Sequence, residues 1–140
     1  MALQLPPDAQ GHLPNCGLTA MAVAAGKTLK EATEAYQKAC EKVRGRRMQG
    51  NWKGRTYNRI RDKAMVEYMG LKLQRIPVHG MSLQKLSRYL QPNVKYIITT
   101  TGHVQVVESG CVVDQSGVFS MDEYWGRRKK VTDVLVIKEN

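Results

Sequence analysis

The sequence predicts one α+β domain in which helices come first and an antiparallel sheet follows. Segments with helical caps and a helical spacing of apolar residues lie before residue 70, whereas β-branched and aromatic runs dominate after Pro92. The chain has 140 residues, of which 42% are hydrophobic. This length and composition suit a single domain over residues 1–140 with one core.

The helices are predicted from their caps and breakers. Asn15 is expected to cap a helix that begins at Cys16, is apolar on almost every side and ends at Gly26. Thr28 and Glu31 form the capping-box pattern of a second helix. The predicted helices span about residues 16–25, 29–43, 57–69 and 83–90. Because the first helix is apolar all round, it should lie buried at the centre of the domain.

The sheet is predicted from apolar, β-branched runs at residues 71–76, 94–101, 104–107, 111–113 and 131–137. The third and fourth runs flank a Glu-Ser-Gly segment, which favours a hairpin with a two-residue turn at Ser109 and Gly110. In that register residue 105 opposes residue 114. His103 and Asp114 would then be diagonal neighbours on one face of the sheet, within reach of each other.

Cys16 is the candidate nucleophile. In the first turn of a helix, unpaired backbone N–H groups and the helix dipole favour a thiolate, which is the form that attacks carbonyl carbons. Gln10 lies six residues earlier in an extended arm, where its amide can point at an oxyanion beside the Cys16 N–H. Simpler interpretations are a small core residue for Cys16 and a solvated side chain for Gln10.

His103 is the candidate base, because it follows Gly102 at the start of a strand, where a ring can face a cleft. Asp114 would fix its tautomer and stabilise the imidazolium. The alternatives are a structural histidine and a turn-forming aspartate. Ser82 and Lys85 match a serine–lysine motif, but Ser82 is better explained as the N-cap of the fourth helix.

Three cysteines, and no pair of them at metal-binding spacing, argue against a disulfide framework and against zinc, and the predicted chemistry needs no metal or organic cofactor. The first residues lack a basic segment followed by an apolar one, so we expect no signal peptide. No apolar run approaches the roughly 20 residues of a membrane span. We therefore expect a cytoplasmic protein without a membrane partner; the sequence does not indicate its oligomeric state.

Lys and Arg outnumber Asp and Glu by 22 to 12, which gives a net charge of +10. The excess is concentrated in two clusters: Arg44, Arg46, Arg47, Lys53, Arg55, Arg59, Arg61 and Lys63, and then Arg127 to Lys130. Such a field attracts nucleic acid or an acidic protein, and Trp52 and Tyr57 could stack on bases. The simpler interpretation is an ordinary solvated face, which is the usual position of Lys and Arg.

Two segments carry a resemblance to a known family. The run QGHLPNCGLTAM at residues 10–21 resembles the nucleophile segment of the bacteriocin-processing C39 peptidases, a compact branch of the papain-like superfamily. The run GHVQVVESGCVVDQSG, followed by FSMDEYWG, resembles that family's histidine strand, aspartate turn and aromatic-Trp-Gly segment. Asn15 stands where the family usually has an acid, Gln115 replaces its usual proline, and the interval from His103 to Asp114 is shorter than is common.

The resemblance implies a papain-like fold, with the nucleophile on a central buried helix packed against a C-terminal antiparallel sheet. It also implies roles: Cys16 as nucleophile, Gln10 as oxyanion donor, His103 as base and Asp114 as the residue that orients the base. A stand-alone domain of this size is similar to papain-like proteins of phages and mobile elements, so the compartment could equally be a host cytoplasm or a virion. That comparison is one of analogy.

The leading hypothesis is therefore a cysteine hydrolase that cleaves a peptide or isopeptide bond of a protein or peptide through a thioester acyl-enzyme. Deamidation and acyl transfer would use the same residues. The alternative is a catalytically silent papain-like binding module, whose basic stretch Arg44–Lys63 holds nucleic acid or an acidic protein.

Overall fold

Four α-helices and six strands make up the part of the chain described by the computed structural model, which is residues 3–9, 15–46, 56–78 and 80–139. The helices are α1 (Cys16–Ala25), α2 (Leu29–Arg44), α3 (Asn58–Tyr68) and α4 (Leu83–Ser87). The strands are β1 (Leu71–Ile76), β2 (Lys95–Thr100), β3 (His103–Glu108), β4 (Cys111–Asp114), β5 (Gly117–Ser120) and β6 (Val131–Glu139). Short 3₁₀ helices cover Pro7–Ala9 and Met121–Glu123. The predicted α+β class with an antiparallel sheet is confirmed.

The helices begin and end largely where their caps predict. Gly26 terminates α1 in the left-handed region at φ 66°, and Thr28 with Glu31 forms the complete capping box of α2. The prediction for Asn15 is wrong in its detail, because its side chain makes no capping hydrogen bond. The fourth helix is also shorter than predicted and ends at Ser87, before a series of turns.

The strands form one antiparallel sheet in the order β1-β6-β2-β3-β4-β5. The predicted two-residue turn between β3 and β4 is confirmed, since Glu108 pairs with Cys111 and both turn residues have positive φ. Strand β5 was not predicted. The register places His103 at the very start of β3, beyond the point where β4 begins to pair at Val106.

Two apolar layers cover the two faces of the sheet. Helices α1, α2 and α3 pack on one face together with the buried valines of β3 and β4 at 104, 106 and 113. Helix α4 and the segment around Tyr124 cover the other face. Within the described part of the chain, no helix is both long enough and apolar enough to cross a bilayer.

Helix α3 is fixed to its neighbours by polar contacts as well as by packing. The buried Tyr36 hydroxyl of α2 accepts a hydrogen bond of 3.0 Å from the Tyr57 N–H, directly before α3 begins. Arg75 of β1 joins Asp62 of α3 to Asp133 of β6, with N–O distances of 2.9 and 2.7 Å. These contacts fix the start of α3 relative to the sheet and to α2.

Candidate active site

The half-buried thiol of Cys16 lies in the first turn of α1. The first intrahelical bond of α1 runs from the Thr19 N–H to the Asn15 carbonyl at 2.8 Å, so the preceding N–H groups have no partner within the helix. The His103 ring and the Val104 N–H lie close enough to the sulfur for their hydrogen bonding to lower its pKa. Residues 103–105 precede the part of β3 that pairs with β4, which leaves this end of the strand open to the helix.

The His103 imidazole joins Cys16 to Asp114. Its Nε2 lies 2.9 Å from Oδ2 of Asp114, which leaves Nδ1 as the nitrogen that faces the thiol. The side chain is only 6% exposed although it stands at the end of a strand. The structure therefore brings together three of the four predicted site residues, in the order thiol, imidazole, carboxylate.

The Asp114 carboxylate is buried, with 1% exposed, and accepts hydrogen bonds at both oxygens. Oδ2 accepts from the Tyr124 hydroxyl at 2.7 Å and from Trp125 Nε1 at 3.1 Å, in addition to its contact with His103. Oδ1 accepts from the Ser116 N–H at 2.7 Å and from the Ser116 hydroxyl at 2.5 Å. A carboxylate with this many donors is fixed in orientation and remains ionised.

The three groups shift one another's proton affinities. Burial raises the pKa of Cys16, but the hydrogen bonds from His103 and Val104 and the nearby positive charges outweigh burial, so the thiol pKa falls below its ordinary value. Burial lowers the pKa of His103, but the bonds to Asp114 and Cys16 prevail and raise it to about 9. Burial raises the pKa of Asp114, whereas its donors bring it down to about 2. Together these directions favour a thiolate–imidazolium pair over a thiol beside a neutral imidazole.

Two aromatic residues cover the histidine–aspartate pair. Tyr124 is fully buried, and its hydroxyl also lies 3.1 Å from Oε1 of Gln105, on the same face of β3 as His103. The Trp125 ring lies against the His103 ring, with 4.9 Å between centroids, and is 49% exposed. The indole thus contacts solvent on one side and limits access of water to the hydrogen bond between His103 and Asp114 on the other.

Arg61 of α3 is a further charged group at this site. It is only 5% exposed, and its guanidinium donates to the Thr56 hydroxyl and to the Asn58 side-chain oxygen. A Cβ on Gly17, the residue after Cys16, would lie 2.0 Å from the Thr56 hydroxyl oxygen and 3.2 Å from Arg61 Nη1. Thr56 and Arg61 therefore pack directly against the backbone of the first turn of α1.

The prediction of one basic surface at Arg44–Lys63 is wrong for Arg61, which is buried beside the thiol. Among the described cations of that stretch, Arg44 lies 5.5 Å from the centroid of the Tyr57 ring, and Lys63 pairs with Glu67. Arg46 and Arg59 are exposed. Residues 47–55, which include Trp52, lie outside the described residues, as does Gln10; the described arm ends at the buried Ala9.

Sequence reasoning also missed the contacts of Tyr124, Trp125 and Ser116 with Asp114. The Tyr-Trp pair was visible in the sequence, but no local pattern indicated that it folds back onto the aspartate. Ser82 accepts a hydrogen bond from the Lys85 N–H, as an N-cap does. Among the described residues, no three His, Cys, Asp or Glu side chains are grouped closely enough to hold a metal ion.

Comparison of the chain with protein-family models, with curated proteins and with solved structures finds no significant match.

Proposed function

We propose that the chain is a papain-like cysteine hydrolase that cleaves a peptide or isopeptide bond, with Cys16 as nucleophile, His103 as base and Asp114 as the orienting residue. The observation that carries this proposal is the adjacency of the Cys16 thiol, the His103 imidazole and the buried Asp114 carboxylate, the last two of which lie 2.9 Å apart. The order of the groups and their elements supports it: a thiol in the first turn of a central helix and an imidazole at the start of an adjacent strand.

The chemistry follows from where the protons lie. With the proton on His103, the Cys16 thiolate attacks the carbonyl carbon of the substrate, and the carbonyl oxygen becomes an oxyanion. The N–H of Cys16, which has no partner within the helix, can donate to that oxyanion, and Gln10 is the predicted second donor. As the C–N bond breaks, the imidazolium gives its proton to the leaving amine, and a thioester remains on Cys16.

Release of the acyl group uses the same imidazole in its neutral form. His103 takes a proton from water, the hydroxide attacks the thioester, and the carboxylic acid leaves as Cys16 regains its thiolate. Asp114 holds the ring in place throughout and balances its positive charge whenever it forms. An amine in place of water would give acyl transfer, and a side-chain amide in place of a peptide would give deamidation.

The first test is selective alkylation with iodoacetamide, followed by peptide mapping. Cys111 supplies a control thiol within the same chain, because burial and Glu108 raise its pKa. We expect Cys16 to alkylate at least about tenfold faster than Cys111 at pH 6, since only a thiol of depressed pKa is ionised there. The Cys16→Ala variant should lose all hydrolysis of a peptide library. Equal labelling of the two thiols, with activity retained in Cys16→Ala, would refute the proposal.

The predicted alternative, a silent binding module that uses Arg44–Lys63, has no specific contact among the described residues in its favour. It predicts an affinity for nucleic acid that falls steeply between low and physiological salt. A flat salt response would dismiss nucleic acid as a ligand.

A further inference from the structure

Arg61 is a buried cation that hydrogen-bonds no carboxylate within the described part of the chain. Its two described partners, the Thr56 hydroxyl and the Asn58 amide oxygen, are neutral. Burying a guanidinium is costly unless a negative charge compensates it. Burial lowers the pKa of Arg61; the thiolate of Cys16 acts most strongly in the opposite direction, ahead of the carboxylates of Asp62 and Asp133.

The packing explains how the cation is placed. Thr56 and Asn58, just before and at the start of α3, hold the guanidinium as a fork, so the side chain has little freedom to move towards solvent. Gly17 lacks the side chain that would push Thr56 and Arg61 away from α1. Cys16 therefore supplies the thiol, and the absence of a side chain on the adjacent Gly17 lets the Arg61 cation approach the helix.

We propose that Arg61 is a positioning residue of the cysteine site, a fixed positive charge that stabilises the Cys16 thiolate independently of His103. This inference rests on the proposed function. The titratable groups that act on the thiol come from three elements: His103 of β3 with Asp114 behind it, Arg61 of α3, and Tyr124 from the segment after β5. The imidazolium of His103 and the guanidinium of Arg61 come from different elements, and both lower the pKa of the free thiol before it attacks the substrate.

The test is the pH dependence of Cys16 alkylation in matched variants. The alkylation rate rises over the pH range in which the Cys16 thiol ionises, and this range is the acidic limb of the rate profile. In Arg61→Gln the acidic limb should move to a pH higher by about one unit, the effect of removing one nearby opposite charge. In Arg61→Lys, which keeps the charge, the limb should stay near its wild-type position. Arg59→Gln removes an exposed cation from the same helix and should leave the limb in place. Circular dichroism reports whether each variant folds.

An Arg61→Gln profile that coincides with the wild type would overturn the inference while leaving the proposed function intact. If Arg61→Gln does not fold, Arg61→Lys decides alone: a limb displaced by a full unit despite the retained charge contradicts an electrostatic role. A wild-type Cys16 as slow as Cys111 would overturn the proposed function and this inference together.

A second inference comes from the loop at residues 125–130, named here the cationic rim. It carries four consecutive cations, Arg127 to Lys130, and none of them pairs with a carboxylate among the described residues. The first residue of the rim, Trp125, bonds Asp114 and lies against His103. Lys129 Nζ lies 5.0 Å from the centroid of the Trp125 ring.

These contacts place a cation close to the reacting groups. The Lys129 ammonium lies no farther than about 10 Å from the His103 ring, about one Debye length at 0.1 M salt. A negative charge on a substrate seated beside Trp125 would therefore lie within one Debye length of the rim and would be only partly screened from it. We infer that the cationic rim makes acidic peptides the preferred substrates of the proposed hydrolase.

Two alkylating agents that differ in charge test this inference. Iodoacetate is an anion and iodoacetamide is neutral. The alkylation rate of Cys16 by iodoacetate divided by its rate by iodoacetamide therefore reports the local electrostatic potential. In Arg128→Gln/Lys129→Gln at low salt, that ratio should fall about threefold. Lys72→Gln/Lys138→Gln removes two exposed cations from β1 and β6, across the sheet, and should leave the ratio unchanged.

Competition identifies the acidic ligand. Polyglutamate should slow iodoacetamide labelling of Cys16 in the wild type and do so less in the rim variant. Equal ratios in all three proteins would overturn the inference. Protection by a single-stranded oligonucleotide, with none by polyglutamate, would also overturn it and point to nucleic acid. Slow labelling of wild-type Cys16 by both agents would overturn the proposed function itself.

Discussion

Replacing Asp114 with Asn removes the negative charge that orients His103 while keeping the size of the side chain. The amide has one oxygen, whereas the carboxylate accepts hydrogen bonds at two. With that oxygen towards Ser116, the NH₂ group faces three donors, from His103, Tyr124 and Trp125. With the oxygen reversed, the NH₂ faces the N–H of Ser116 instead. In either orientation, at least one buried N–H or O–H donor faces the NH₂ group instead of an acceptor.

The expected magnitude follows from the pKa of His103, which stands at about 9 against an ordinary 6.5. That difference corresponds to about 3 kcal/mol of imidazolium stabilisation, shared between Asp114 and Cys16. If Asp114 supplies about half, the midpoint of the His103 titration should fall by about one pH unit. A ring that is no longer held against the thiol also lowers the thiol pKa less, so the alkylation rate of Cys16 at pH 6 should fall by about tenfold. Stability should fall by about 2–4 kcal/mol, because buried donors lose a charged acceptor.

The assay combines an NMR titration of the His103 ring, alkylation of Cys16 and urea unfolding. Asp122→Asn is the matched control, because it removes an exposed carboxylate from the neighbouring 3₁₀ helix. The folded-state pKa of Asp114 is lowered, to about 2 from 3.8, so its contribution to stability is present above pH 4 and lost as the pH falls through 2. An unchanged His103 midpoint and an unchanged Cys16 rate in Asp114→Asn would refute the orienting role.

Two further substitutions test the surroundings of the triad. Gly17→Ala places a Cβ 2.0 Å from the Thr56 hydroxyl oxygen, so Thr56 and Arg61 must move. Overpacking destabilises the fold by about 1–3 kcal/mol, whereas the higher helix propensity of alanine stabilises it by about 1 kcal/mol. Thermal unfolding should therefore show a net loss of stability of about 1 kcal/mol. The same variant should raise the acidic limb of Cys16 alkylation, and an unmoved limb would contradict the placement of Arg61. Trp125→Phe removes the 3.1 Å hydrogen bond to Asp114 but keeps an aromatic ring. We expect urea unfolding to show a stability loss of about 1 kcal/mol, and peptide hydrolysis to be a few-fold slower. Unchanged stability and unchanged hydrolysis would show that the indole N–H contributes nothing.

The features that the sequence predicted well are those fixed by local chemistry. The capping box at Thr28 and the left-handed Gly26 set helix ends within a few residues of themselves. The turn at Ser109 and Gly110 fixed the register of β3 and β4, and with it the diagonal approach of His103 to Asp114. A period of two residues makes such a register argument strict, because a slip of one residue would turn either side chain to the other face.

The features that escaped prediction depend on contacts between distant segments. Charge counting assigned Arg61 to a surface, whereas the fold buries it against Gly17, and the sequence has no local signal for such a contact apart from the small residue. Strand β5 alternates half-buried and exposed residues over only four positions, which gives a weak pattern. The catalytic roles of Cys16, His103, Asp114 and Gln10 stay predictions.

The ultraviolet absorbance of the thiolate as a function of pH, taken as the difference between the wild type and Cys16→Ser, tests directly whether Cys16 is activated. Because burial is outweighed by His103, Val104 and Arg61, we expect the Cys16 thiolate to form at a lower pH than the thiolate of an ordinary cysteine. A difference signal that arises only above about pH 8.5, as for an ordinary thiol, would contradict it.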